Sequence, residues 1–170
     1  MVIMNATEST GLIGVFQDLV AQVPDILQPV IVALAGAVPF IEGEGGAAIG
    51  IIGGIHPVVA ALSAAVGNFL CVAIIVLLGS RVRTAVTSRG AADAPEQSPR
   101  RAKFQRAFHR YGTPGVSLLG PLLLPTQFTA AALTTAGVPP RIVLFWQGAA
   151  IVLWTSLITL LITGVITAVG

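Results

Sequence analysis

The stretch from Val30 to Pro57, VIVALAGAVPFIEGEGGAAIGIIGGIHP, is almost wholly apolar yet carries Glu42 and Glu44 near its middle. A charge at the centre of a bilayer costs about 2.5–3.5 kcal/mol even on lenient insertion scales, so the pair needs compensation. The apolar run before them, Val30 to Ile41, has 12 residues. As helix it covers about 18 Å, against roughly 30 Å for a hydrocarbon core. The spacing predicts a run that goes halfway in, breaks at Pro39 and at Glu42-Gly43-Glu44-Gly45-Gly46, and leaves through Ala47 to Ile55. Such a re-entrant hairpin puts an acidic tip at membrane depth. Irregular backbone is tolerated there only where protein or a water-filled cavity surrounds it. The alternative is a wetted external loop in which both acids titrate normally.

Composition agrees with a chain built for lipid. Of 170 residues, 55% are hydrophobic and 9% charged, where soluble domains carry about 25% charged residues. With a mean hydropathy of +0.90, the expectation is a polytopic membrane protein. The N-terminal residues MVIMNATESTGLIG lack a basic n-region and an A-x-A-like site, so no secretory signal is expected. Cys71 is the single cysteine, which excludes an internal disulfide. One Cys and two His leave almost no raw material for a metal or haem site, and no nucleophile triad, phosphate loop or nucleic-acid patch is present. Neither an enzyme nor a cofactor is expected.

Along the chain, residues 1–29 hold Glu8, Asp18 and Asp25 and no Lys or Arg. Leu12, Ile13, Phe16, Leu19, Val20 and Val23 fall at helical spacing, interrupted too often by polar residues for a span. An interfacial amphipathic helix with a break near Pro24 fits. Residues 30–79 comprise the first hairpin and a crossing from Pro57 to Gly79, in which Ser63, Gly67 and Cys71 recur every fourth residue as a packing stripe, with Asn68 beside it. Residues 80–112 hold eight of the nine basic residues: Arg81, Arg83, Arg89, Arg100, Arg101, Lys103, Arg106 and Arg110. The positive-inside rule makes this loop cytoplasmic. Its end, RRAKFQRAFHRY, reads as a short surface helix for anionic headgroups or as a topology signal alone.

Residues 113–170 repeat the pattern. Thr113 to Val138 is apolar and broken by Pro114, Pro121 and Pro125, with Thr126, Gln127 and Thr129 just past the last break. Arg141 to Ala168 is a second crossing, with Thr155, Thr159, Thr163 and Thr167 on one stripe, either for packing or for lining a pathway. The two halves match in outline. Pro39, Gly54-Ile55-His56-Pro57 and a crossing with Gly67 correspond to Pro125, Gly137-Val138-Pro139-Pro140 and a crossing with Gly148. One long helix ends at the cytoplasmic loop and the other begins near it, so the halves have opposite orientation. The expected fold is all-α integral membrane, with two inverted repeats, each a re-entrant helical hairpin plus one transmembrane helix, and an N-terminal interfacial helix. In inverted repeats with paired interrupted segments, the site lies where the broken elements meet.

Pro39-Phe40-Ile41-Glu42-Gly43-Glu44-Gly45-Gly46-Ala47, the Gly-Ile-His-Pro step and Gly67-Asn68 resemble the small multidrug export protein family, a relative of the DedA/VTT membrane proteins. Leu124-Pro125-Thr126-Gln127-Phe128-Thr129 falls where that family has its second proline-containing hairpin. The likeness covers residues 30–168. It implies two hairpins meeting head to head and a transport role in the cytoplasmic membrane of a bacterium, as a multi-pass protein. Lipid-carrier movement is the activity associated with DedA relatives. Two departures bear on substrate. The family often has Glu-x-Arg in the first hairpin, where this chain has Glu44. DedA proteins carry arginines flanking the second proline, where this chain has Leu122 and Phe128. A phosphate would lack its bidentate partner, which favours protons or a cation.

Glu42 and Glu44 are the leading candidates for coupling, because burial and mutual repulsion both raise a carboxylate pKa. Asn68, Thr126 and Gln127 are candidate polar lining or satisfied interhelical groups, and His56 is an interfacial residue or a proton relay. Pro39, Gly43, Gly45, Gly46, Pro121 and Pro125 are expected to shape the hairpin tips. Arg141 is expected to mark the cytoplasmic interface or to neutralise a glutamate of a partner subunit. The expected activity is proton-linked export of amphipathic or cationic compounds. Alternatives are a lipid or lipid-carrier flippase or scramblase, and a non-transporting subunit of a larger membrane complex. Membrane lipid and a second copy of the chain are the expected partners; no nucleic acid is.

Overall fold

The computed structural model describes residues 11–87 and 112–169. Among the described residues every regular element is helical. In chain order they are α1 (Leu12–Gln22), α2 (Gln28–Ala37), α3 (Glu42–Ile52), α4 (Pro57–Thr87), α5 (residues 112–119), a 3-10 turn (Gly120–Leu122), α6 (Thr126–Thr135) and α7 (Pro140–Val169). Two stretches, Pro57–Ala85 of α4 and Pro140–Val169 of α7, with mean hydropathies of 2.5 and 2.3, are long and apolar enough to cross a bilayer. Their outer faces carry large apolar side chains such as Leu62, Leu70, Ile74, Leu153, Leu160 and Val165, all more than half exposed. That exterior suits lipid better than water.

Local chemistry sets the helix ends. Pro29 occupies the first turn of α2, where a missing N–H goes unnoticed. Gly54 follows α3 in the left-handed region (φ +88°), and the Ile55 N–H reaches back to the Gly50 carbonyl at 3.0 Å. His56 then caps α4, its Nδ1 accepting the Val58 N–H at 3.3 Å. α6 ends the same way. Gly137 (φ +93°) follows α6, and the Val138 N–H reaches the Leu133 carbonyl at 3.1 Å before Pro140 opens α7.

Two compact units divide the described residues, one formed by residues 11–68 with 151–169 and the other by residues 69–87 with 112–150. Each boundary falls inside a long helix, after Asn68 in α4 and after Ala150 in α7. In the first unit α1, α2 and α3 pack together around Val20, Val32, Ala35, Ala47 and Ile49. α1 is part of this core rather than an appendage, since Val20 is fully buried. Small residues hold α4 close: a Cβ on Gly67 would run into the Ala33 carbonyl, and one on Gly36 into the Ala64 carbonyl. The buried face of α4 is thus Ala60, Ala64, Gly67 and Asn68, not the stripe of Ser63, Gly67 and Cys71 read from spacing.

The second unit has a more polar interior. Ser117, Thr126, Gln127, Thr129, Thr134 and Gln147 are all buried beside Val72, Val76, Leu133 and Val143. The guanidinium of Arg83 lies over the end of α6, so that a Cβ on Gly137 would fall 2.6 Å from its Nη2. A cation at a helix C-terminus meets the negative end of the helix dipole.

Three expectations are corrected. α4 does not stop at Gly79 but continues through Arg81 and Arg83 to Thr87. Pro114 breaks nothing, because it lies within α5; the interruptions are at Pro121, in the 3-10 turn, and at Pro125, the N-cap of α6. The glycines Gly43, Gly45 and Gly46 are not a tip but the first turns of α3. Arg89, Arg100, Arg101, Lys103, Arg106 and Arg110 lie outside the described residues.

Candidate functional site

The break between α2 and α3 is Val38-Pro39-Phe40-Ile41, four residues earlier in the chain than the glycine run. Its sharp corner is made by non-glycine residues. Phe40 (φ 72°) and Glu42 (φ 56°) both adopt left-handed backbone, at a cost of about 1–3 kcal/mol each. The turn closes through the Ile41 and Glu42 N–H groups, which donate to the Val38 carbonyl at 3.2 and 3.0 Å. Phe40 holds its ring outward, 80% exposed. Strain of this kind persists only where the surroundings over-determine it.

Both acids sit in the first turn of α3. Free N–H groups and the positive end of the helix dipole favour negative charge there. Glu42 is buried, 7% exposed, and Glu44 is half-buried. Neither belongs to α4 or α7. Burial and the nearness of a second carboxylate oppose charge there, so the pair is set between two contrary influences.

Glycine serves this site by close approach, not by freedom of φ. Gly43, between the two acids, faces α7, and a Cβ on it would overlap Thr155 Oγ1. Thr155 is 2% exposed, and its hydroxyl makes no hydrogen bond. Thr159, one turn on, donates to the Thr155 carbonyl at 2.7 Å. The threonine stripe of α7 therefore contains hydroxyls in two different states.

The remaining candidates divide between the units. Asn68, 1% exposed, belongs to the first unit with Glu42 and Glu44. Thr126 and Gln127, each 2% exposed, belong to the second, where the Gln127 amide donates to the Cys71 sulfur. His56 is exposed and spends its Nδ1 on the α4 cap, a structural task. Sequence reasoning missed Ser117 and Gln147, both fully buried and joined by Gln147 Nε2 donating to Ser117 Oγ at 3.3 Å, while Gln147 Oε1 has no partner. The available signal was a lone amide in the apolar run of α7, a position where polar groups are costly.

Compared with protein-family models, curated proteins and solved structures, the chain finds no significant match.

Proposed function

We propose that the protein is a small multi-pass transporter of the bacterial cytoplasmic membrane that exports amphipathic or cationic compounds in exchange for protons, with Glu42 and Glu44 as the coupling pair. The observation that carries this reading is the acidic turn: two carboxylates, one buried and one half-buried, in the first turn of an apolar helix that starts from a strained corner. Groups so placed are rare in membrane segments and mark ion or proton routes.

Lengths support a hairpin that dips and returns. α2 and α3 have 10 and 11 residues, about 15 and 17 Å of helix, half of what a crossing needs. The matching turns at Gly54 and Gly137 support two related hairpin-plus-helix halves in opposite orientation. Arg81 and Arg83 near one end of α4 and Arg141 at the start of α7 support a cytoplasmic location for those ends. A homodimer would complete a cavity that so few crossings leave open.

The test is uptake of a fluorescent cationic amphiphile into proteoliposomes driven by an imposed pH gradient. Glu42→Gln and Glu44→Gln are expected to reduce uptake to the level of empty vesicles while the protein still assembles. Unchanged uptake in both variants removes the coupling role. Lipid equilibration without any gradient would point instead to a scramblase, and inactivity alone with co-purification of a partner to a subunit.

A further inference from the structure

Thr155 keeps a hydroxyl idle in a place where an idle donor is costly. Helical threonines ordinarily return the hydroxyl to the carbonyl one turn back, as Thr159 does at 2.7 Å. Thr155 does not. Its Oγ1 instead occupies the space that a side chain on Gly43 would need, in a residue that is 2% exposed. The chain neighbours of Gly43 are Glu42 and Glu44. Glu42 and Glu44 thus flank the backbone position that Thr155 Oγ1 abuts, each on a flexible three-torsion side chain.

We infer that Thr155 is a positioning residue for the acidic pair, its hydroxyl a donor held in reserve for whichever carboxylate has lost its proton. The inference rests on the proton-coupling reading above. When a carboxyl gives its proton to water, the carboxylate turns and accepts the Thr155 O–H. When it regains a proton, that hydrogen bond is released and the hydroxyl is idle again. The carboxyl O–H is the only covalent bond made or broken. A donor to the charged form lowers a carboxyl pKa and so opposes burial, which keeps the proton exchangeable.

α2, residues 57–68 of α4 and residues 151–169 of α7 contain no ionisable side chain. Asp18 on α1, Asp25 after it and His56 at the α4 cap are exposed.

The experiment compares Thr155→Val, which keeps the shape and removes the hydroxyl, with Thr155→Ser, which keeps the hydroxyl. Two readouts are taken: infrared titration of the protonated-carboxyl band in the purified protein in lipid vesicles, and the pH profile of gradient-driven uptake. The valine variant is expected to move the midpoint upward by about one pH unit, and the serine variant to retain the original midpoint. Thr155→Ala is expected to match valine and replaces it if the latter fails to assemble. A midpoint unmoved by loss of the hydroxyl overturns the inference. If uptake ignores Glu42→Gln and Glu44→Gln, the coupling reading fails, while the infrared titration still decides what Thr155 does.

Discussion

Gly54 and Gly137 occupy the same backbone conformation at the same point of two separate turns, with φ of +88° and +93°, each followed by a residue whose N–H reaches the carbonyl five positions back. Their surroundings differ. Nothing lies within 4 Å of a Cβ on Gly54, whereas one on Gly137 would fall 2.6 Å from Arg83 Nη2. Gly54→Ala is therefore expected to show the backbone cost alone, about 1–2 kcal/mol. Gly137→Ala is expected to cost more, because it also displaces the guanidinium from the end of α6. Unfolding titrations in mixed micelles measure both, and Arg83→Ala should shrink the difference.

The contact between Gly43 and Thr155 predicts a double-mutant cycle. Gly43→Ala forces Thr155 Oγ1 to move in a packed interior, an overpacking cost of about 1–3 kcal/mol. Thr155→Ala removes the obstructing atom. The double variant is then expected to exceed Thr155→Ala in stability by up to about 1 kcal/mol, the helix preference for alanine over glycine. Additive losses in the cycle would mean that the two residues do not touch.

Gln147 predicts a substitution without loss. Its Oε1 is buried and unpartnered, and its Nε2 bond to Ser117 is a long 3.3 Å. Gln147→Leu combined with Ser117→Ala removes both polar groups at little change in volume. Stability is expected to stay level or rise by about 1 kcal/mol. A fall in uptake by a variant that melts like the parent would assign the amide to transport.

Topology gives a further check. A hairpin that re-enters places both termini outside, whereas four simple spans place both inside. A reporter that is bright only in the cytoplasm is expected to stay dark at the C-terminus and to shine when inserted between residues 88 and 111.

The ends of helices were the legible part of this chain. Pro29, Gly54-Ile55-His56-Pro57 and Gly137-Val138-Pro139-Pro140 mark boundaries through backbone chemistry, which is local and survives in a single sequence. The glycines of Gly43-Glu44-Gly45-Gly46 were misleading because glycine answers to two demands. A turn needs its φ freedom, and a tight helix contact needs its missing side chain. The position of Thr155, 112 residues away, tells which applies at Gly43, and Gly36 with Ala64 tells it at Gly46. The packing face of α4 was shifted for the same reason, since Gly36 of α2 and Gly46 and Gly50 of α3 abut Ala60 and Ala64, not Ser63. The threonine stripe was visible, but hydroxyl direction is a rotamer property, and spacing is blind to it.

α4 continues eight residues past Gly79, to Thr87, which adds about 12 Å of helix beyond the expected crossing. That extension holds Arg81 and Arg83 on rigid helix, and it is what brings the Arg83 guanidinium to Gly137. The angular phase of the whole helix therefore matters there: one residue inserted between Gly79 and Arg83 would swing the guanidinium about 100° around the axis and away from the end of α6.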